Sequence, residues 1–200
     1  YEKLKSPERP LLAVLTYDSD FGKPAESGEG AEVIKGEWKK LSASSRLKIA
    51  IIGAGSFVQS KHVPILKSME DVVSVPYALS RTGPSARTCA AMIPGCKEET
   101  DYNKVLQDSE VDAVLIGTRH DTHADLTLRA LKAGKGVFVE KPMCLNPTEF
   151  EDIKEAIENR TAPYMVGYNR RYSPFAERIR KEVEGRTHPL MIQYVMNAGY

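Results

Sequence analysis

No apolar run in this 200-residue chain is longer than Leu11-Leu12-Ala13-Val14-Leu15, far short of the ~20 residues that span a bilayer. A basic segment followed by an apolar one, the mark of a secretory leader, is also missing from the start. Neither sign of charge is in excess: 28 Lys+Arg stand against 27 Asp+Glu, a net of +1. Electrostatics therefore offers no reason to expect nucleic acid or an anionic membrane as partner. Cysteine is scarce. Cys89, Cys96 and Cys144 have no metal-type spacing and leave an odd thiol if two pair, which points to a reducing, cytoplasmic setting.

What is present is an ordinary globular composition, 42% hydrophobic and 28% charged, in a length that allows one full α/β domain and too little for two large ones. The chain opens on Tyr1 in a helix-like scrap and stops at Tyr200 inside strand-like sequence, so it reads as a piece of a longer polypeptide. Leu11 to Thr16 suits one short strand. From Asp18 to Ser45 the pattern dissolves into Gly, Pro, Glu, Lys and Ser, a linker composition that buries too little to offset ordering entropy.

From Arg46 the pattern becomes alternating strand and helix. Leu47 to Ile52 is nearly continuously apolar, as a strand covered on both faces of a parallel sheet should be. Further strands are expected over Val72–Leu79, Ala113–Ile116, Val137–Val139 and Tyr164–Val166. Helices are expected over Phe57–Ser68, Ser85–Met92, Tyr102–Gln107, His123–Ala133 and Pro147–Asn159. Asn146-Pro147-Thr148-Glu149 supplies an N-cap, a proline for the first turn and an acid behind it. Strands alternating with crossover helices of this length predict an α/β fold with a doubly wound parallel sheet. A last helix from Ser173-Pro174 to about Glu184, then a strand over Leu190–Met196, read as the start of a second α+β domain. The division expected is 1–45 extension and linker, 46–168 sheet domain, and 169–200 connecting helix and first strand.

Gly53-Ala54-Gly55-Ser56-Phe57 joins the first strand to a helix. The first glycine permits a tight turn and the second lets backbone N–H groups approach a pyrophosphate, with the helix N-terminus behind them. Val58 occupies the third position of that pattern, where a small residue is usual, and predicts a slightly displaced helix; a glycine turn that binds nothing is the alternative. After the second strand, Ser80 and Arg81 stand where an acid would accept from a ribose 2′-hydroxyl. Both could reach a 2′-phosphate, which leans the reading toward NADP over NAD, unless Arg81 is merely a solvated loop residue. Thr118, His120 and His123 follow Ala113–Ile116 at an edge where such sheets bind ligands. They read as a loop lining the cofactor, with metal binding or purely structural histidines as alternatives. Glu140-Lys141-Pro142 follows the next strand: Lys141 could hydrogen-bond a substrate oxygen and Glu140 orient its ammonium, or the two could form a surface ion pair.

With Gly53-Ala54-Gly55, Thr118, His123 and Glu140-Lys141-Pro142 in this order, the chain resembles the Gfo/Idh/MocA family of NAD(P)-dependent oxidoreductases. Ala130-Leu131-Lys132-Ala133-Gly134-Lys135 and Gly167-Tyr168-Asn169-Arg170-Arg171-Tyr172 strengthen the likeness, which covers Arg46 to Tyr200. The resemblance implies a Rossmann domain, a nicotinamide dinucleotide as cofactor, a small sugar-like or cyclitol substrate, and Lys141 polarising its hydroxyl. It implies substrate-side positions for Asn169 and Arg170. An Asp and a His on a second-domain helix would complete the site and a homo-oligomer would form through that domain. Both would lie beyond Tyr200, so the chain alone is expected to bind dinucleotide without efficient turnover. The loop Thr118-Arg119-His120 departs from the Thr-Pro-Asn of many members. Residues 1–15 look like the tail of a medium-chain alcohol dehydrogenase fused upstream. A non-catalytic dinucleotide sensor and a methyltransferase-like domain are the rival readings.

Overall fold

The apolar run Leu47–Ile52 forms the central strand β1, with Ala50, Ile51 and Ile52 fully buried, in a computed structural model that describes residues 45–193 and Val195. Side chains alternate along a strand, so Ala50 and Ile52 pack into one core and Ile51 into another, one on each face of the sheet. Apart from Lys48 near its less buried start, the run is apolar throughout, as two covered faces require.

Around β1 the chain lays down β2 (Val73–Ser74), β3 (Tyr77–Leu79), β4 (Lys97–Glu99), β5 (Ala113–Ile116), β6 (Gly136–Val139) and β7 (Tyr164–Val166). The path runs β4-β3-β1-β5-β6-β7, every pairing is parallel, and β2 pairs with the start of β1. The helices are α1 (Val63–Ser68), α2 (Pro84–Ala91), α3 (Tyr102–Gln107), α4 (His123–Lys132), α5 (Pro147–Glu158) and α6 (Pro174–Val183). The expected doubly wound α/β sheet is therefore the fold. None of these helices is long and apolar enough to cross a membrane.

Three expectations change in detail. The strand expected over Val72–Leu79 is two segments, because Leu47 pairs with Val73 while Ile51 pairs with Ala78, so one extra residue enters between them. Pro76 lies in that gap and has no N–H for the ladder. Lys97–Glu99 is an additional edge strand whose charged sequence carries no apolar alternation. The strand expected over Leu190–Met196 does not form at residues 190–193 or 195. Met191 is 93% and Ile192 74% exposed there, and neither pairs with a strand among the described residues. The strand and linker expected over residues 11–45 lie, but for Ser45, outside the described residues.

Helix ends follow local chemistry. Asn146 accepts from Glu149 N at 2.9 Å, and Glu149 reaches back to accept from Leu145 N at 2.7 Å. This satisfies one N–H group that an isolated helix start leaves unpaired and ties the residue before the cap to the first turn. Asn146→Ala is expected to lower the unfolding free energy by about 1 kcal/mol, measured by urea titration. A cost near zero would mean that the Glu149 arm alone holds the helix start.

Candidate functional site

Because the sheet is all parallel, every strand ends on the same edge, and the residues after β1, β3, β5, β6 and β7 meet there. The order reverses between β3-β1 and β1-β5, which places the switch point of the sheet beside the glycine turn.

That turn is tightly specified. Gly53 has φ +95°, and a Cβ on it would stand 2.6 Å from Thr118 N. Only glycine tolerates both. Gly53 N and Ala54 N both donate to Leu79 O, which ties the turn to the end of β3. A Cβ on Gly55 would project into open space. Gln59 N donates to Gly55 O, the first bond of the helix, whereas Ser56, Phe57 and Val58 N–H have no acceptor among the described residues. An open concavity under glycine, faced by the free donors of a helix start, fits a phosphate or pyrophosphate group.

Val58 at the third motif position is fully buried rather than displaced outward. Its Cγ2 fills the space where a Cβ on Gly117 would lie, 2.4 Å away. The missing small residue on the helix is thus balanced by a glycine on β5's exit loop, a relation across 59 residues that no local motif announces. The helix also widens into a π-turn over Val58–His62 before α1. Pro64 accounts for it: the ring has no N–H to donate and would press on the Ser60 carbonyl in a regular α-turn.

The widened turn accompanies a contact that sequence reading missed. His62 Nε2 donates to Glu140 Oε1 at 2.8 Å, with the side chains 15% and 10% exposed. The imidazole stands edge-on to Phe57 and Phe138, at 5.7 and 5.6 Å between centroids. Glu140 Oε2 accepts from Lys141 N at 3.3 Å, and the carboxylate lies 3.2 Å from where a Cβ on Gly167 would be. The expectation that Glu140 orients the Lys141 ammonium is therefore corrected. Its oxygens face His62 and main chain, and Lys141 Nζ has no carboxylate partner among the described residues. Lys141 is exposed, and its bond to Pro142 is cis.

On the β5 side, Thr118 Oγ1 accepts from Thr122 Oγ1 at 2.7 Å. His123 is 1% exposed, with Nδ1 2.7 Å from Pro142 O and Nε2 3.1 Å from Thr118 O. Both nitrogens thus face main-chain carbonyls, and the ring straps the Thr118 loop to the Lys141-Pro142 loop. His120 is exposed and meets His123 only edge to face, at 5.6 Å. Among the described residues no group of three His, Cys, Asp or Glu side chains could hold a metal ion.

After β3, Ser80 Oγ accepts from Ala86 N at 3.0 Å, capping α2, and Arg81 is exposed on the loop. Glu99, whose carbonyl accepts from Ser80 N, is an acid on this side, but it is already committed. The Lys104 ammonium and the N–H groups of Thr100 and Asp101 hold its carboxyl down at about 2. After β7, Asn169 and Arg170 lie in a short 3-10 turn, Asn169–Tyr172. Together with Lys141, Gly167, Tyr168 and Arg171 they line a cavity of about 340 Å³. A larger cavity, about 410 Å³, opens around Lys48, Pro76 and Lys97, at the opposite edge of the sheet.

Residues 47–168 match a family described as an oxidoreductase family with an NAD-binding Rossmann fold. An inositol 2-dehydrogenase from Rhizobium meliloti is 31% identical over 137 residues, covering 68% of this chain and 40% of that protein. The crystal structure of a putative myo-inositol dehydrogenase from Sinorhizobium meliloti superposes with a TM-score of 0.60 at 30% identity, over 68% of this chain and 40% of that one. A 3-ketoreductase from Actinomadura kijaniata, solved with NADP, shares the fold with a TM-score of 0.64 at 23% identity, over 70% and 44% of the two chains. The chain thus spans about two fifths of the length of the curated relatives it matches.

Proposed function

The chain belongs to the oxidoreductase family with the NAD-binding Rossmann fold, and from that membership we propose that it is the dinucleotide-holding part of an enzyme acting on a sugar-like or cyclitol alcohol or carbonyl. The observation that carries the reading is the open glycine cradle, with unpaired Ser56, Phe57 and Val58 N–H groups, on the same sheet edge as an ammonium free of carboxylates at Lys141. A bound nicotinamide dinucleotide supplies the hydride donor or acceptor. Ser56, Phe57 and Val58 N–H groups would receive its pyrophosphate, backed by the positive end of the helix. Thr118, with His123 as strut beneath it, would wall the nicotinamide side, and His120 the rim. Glu140, fixed by His62, holds the Lys141 main chain in place. The Lys141 ammonium would hydrogen-bond the substrate oxygen and stabilise the negative charge that develops there. Asn169 and Arg170 would face the substrate from β7.

At the adenosine end we propose NADP in preference to NAD. Arg81 is exposed and has no acid partner among the described residues, and Glu99 is spent on Lys104 and α3. An Arg in that position suits a 2′-phosphate, whereas a free acid would suit the ribose hydroxyl.

Thermal unfolding of the chain with NADPH, NADH and S-adenosylmethionine tests this reading. A ligand at a hundredfold excess over its Kd adds ~2.7 kcal/mol of stability. NADPH is expected to stabilise most, and Arg81→Gln to reduce the NADPH effect while sparing NADH. Stabilisation by S-adenosylmethionine alone, or by none of the three, would reject the proposal.

A further inference from the structure

The cavity beside Lys141 concentrates one sign of charge. Its six lining residues include three cations, Lys141, Arg170 and Arg171, and no acid. None of the three makes an ion pair among the described residues. Several other cations are matched, Lys48 by Glu110, Arg87 by Glu98, Arg129 by Asp125 and Lys154 by Glu151, and the larger cavity around Lys48 mixes its cations with Glu70, Asp108 and Glu110. Arg171 stands over the Tyr172 ring at 5.8 Å, which holds the guanidinium without neutralising it. The one carboxylate nearby, Glu140, lies behind Gly167 and is turned onto His62. Three like charges around one concavity repel each other until an anion enters, and a cleft focuses their field.

We propose that the substrate carries an anionic group, a carboxylate or a phosphate, which Arg170 and Arg171 receive while Lys141 is kept for the reacting oxygen. This rests on the oxidoreductase reading above and narrows its substrate class to acidic sugars or cyclitols. A guanidinium fork matches either oxyanion with two parallel hydrogen bonds, whereas an ammonium offers a point charge suited to a single oxygen. Asn169 contributes neutral donors for hydroxyl groups, and the half-exposed Tyr168 ring an apolar wall. The cavity's ~340 Å³ lies within the size range of small-ligand sites.

The test is calorimetric titration of the chain with D-glucuronate, glucose 6-phosphate and glucose, each with and without saturating NADPH. One of the two acids is expected to bind at least about tenfold tighter than glucose, with affinity falling as salt rises. Arg170→Gln and Arg171→Gln should each remove about tenfold of that affinity. Arg170→Lys should keep part of it, and Arg178→Gln, which breaks only an exposed pair with Glu182, should change nothing. Preference for glucuronate assigns a carboxylate substrate, and preference for glucose 6-phosphate a phosphorylated one. Equal binding of all three sugars, absence of binding, or acid binding indifferent to both Gln variants would overturn the proposal. Failure of NADPH to bind would instead remove the cofactor reading, because the acid-to-neutral ratio is also read without it.

Discussion

Gly117→Ala is expected to destabilise the chain by about 3 kcal/mol, although it adds a single methyl group. That methyl would stand 2.4 Å from Cγ2 of Val58, which is fully buried and, being β-branched, has little rotamer freedom with which to withdraw. The helix carrying the unpaired Ser56, Phe57 and Val58 N–H groups would have to move off the sheet, so affinity for a dinucleotide should fall with stability. The sharper result is the pairing with Val58→Ala. Each substitution alone is costly, one by overpacking and the other by leaving a cavity. Together they exchange a methyl between facing positions, and the double variant should be more stable than additivity predicts by about 2 kcal/mol. Urea unfolding of the four proteins measures this coupling. Simple additivity would show that Val58 and Gly117 do not share the space as described.

The second large effect concerns the buried pair behind Lys141. His62→Leu leaves the Glu140 carboxylate, 7% exposed, without its ring donor, and is expected to cost about 3 kcal/mol at neutral pH. The loss comes from an uncompensated buried charge rather than from the missing contact itself. Neutralising the partner should therefore return much of it: His62→Leu with Glu140→Gln is expected to regain at least about 1 kcal/mol over His62→Leu alone. Unfolding titrations of the single and double variants decide. A His62→Leu cost below about 0.5 kcal/mol would mean that Glu140 finds another donor or reaches water, and that the pair does not set the Lys141 main chain.

How much of this was legible beforehand depends on how far apart the cooperating residues lie. Asn146 and Glu149 are three residues apart, and their cap forms as the spacing predicts. The Gly53 turn is equally local, since its conformation and its position between a strand and a helix are written within a few residues. The strand Lys97–Glu99 was not legible, because an edge strand that must stay soluble carries charge where a buried one carries an apolar pattern. Nor was the role of Glu140. Adjacency in sequence pointed it at Lys141, while the fold supplies a histidine 78 residues away.

Apolar periodicity and turn chemistry were enough to specify a parallel doubly wound sheet with a glycine cradle at its head, because those signals act over a single helix turn or strand. The charge state of the site was settled only in three dimensions. Pairing strands in parallel brought the ends of β1, β5, β6 and β7 to one edge, where His62 could take up Glu140 and leave Lys141, Arg170 and Arg171 without an acid. Partner choice among charged side chains falls off with distance through space, and distance through space is what a linear chain does not record.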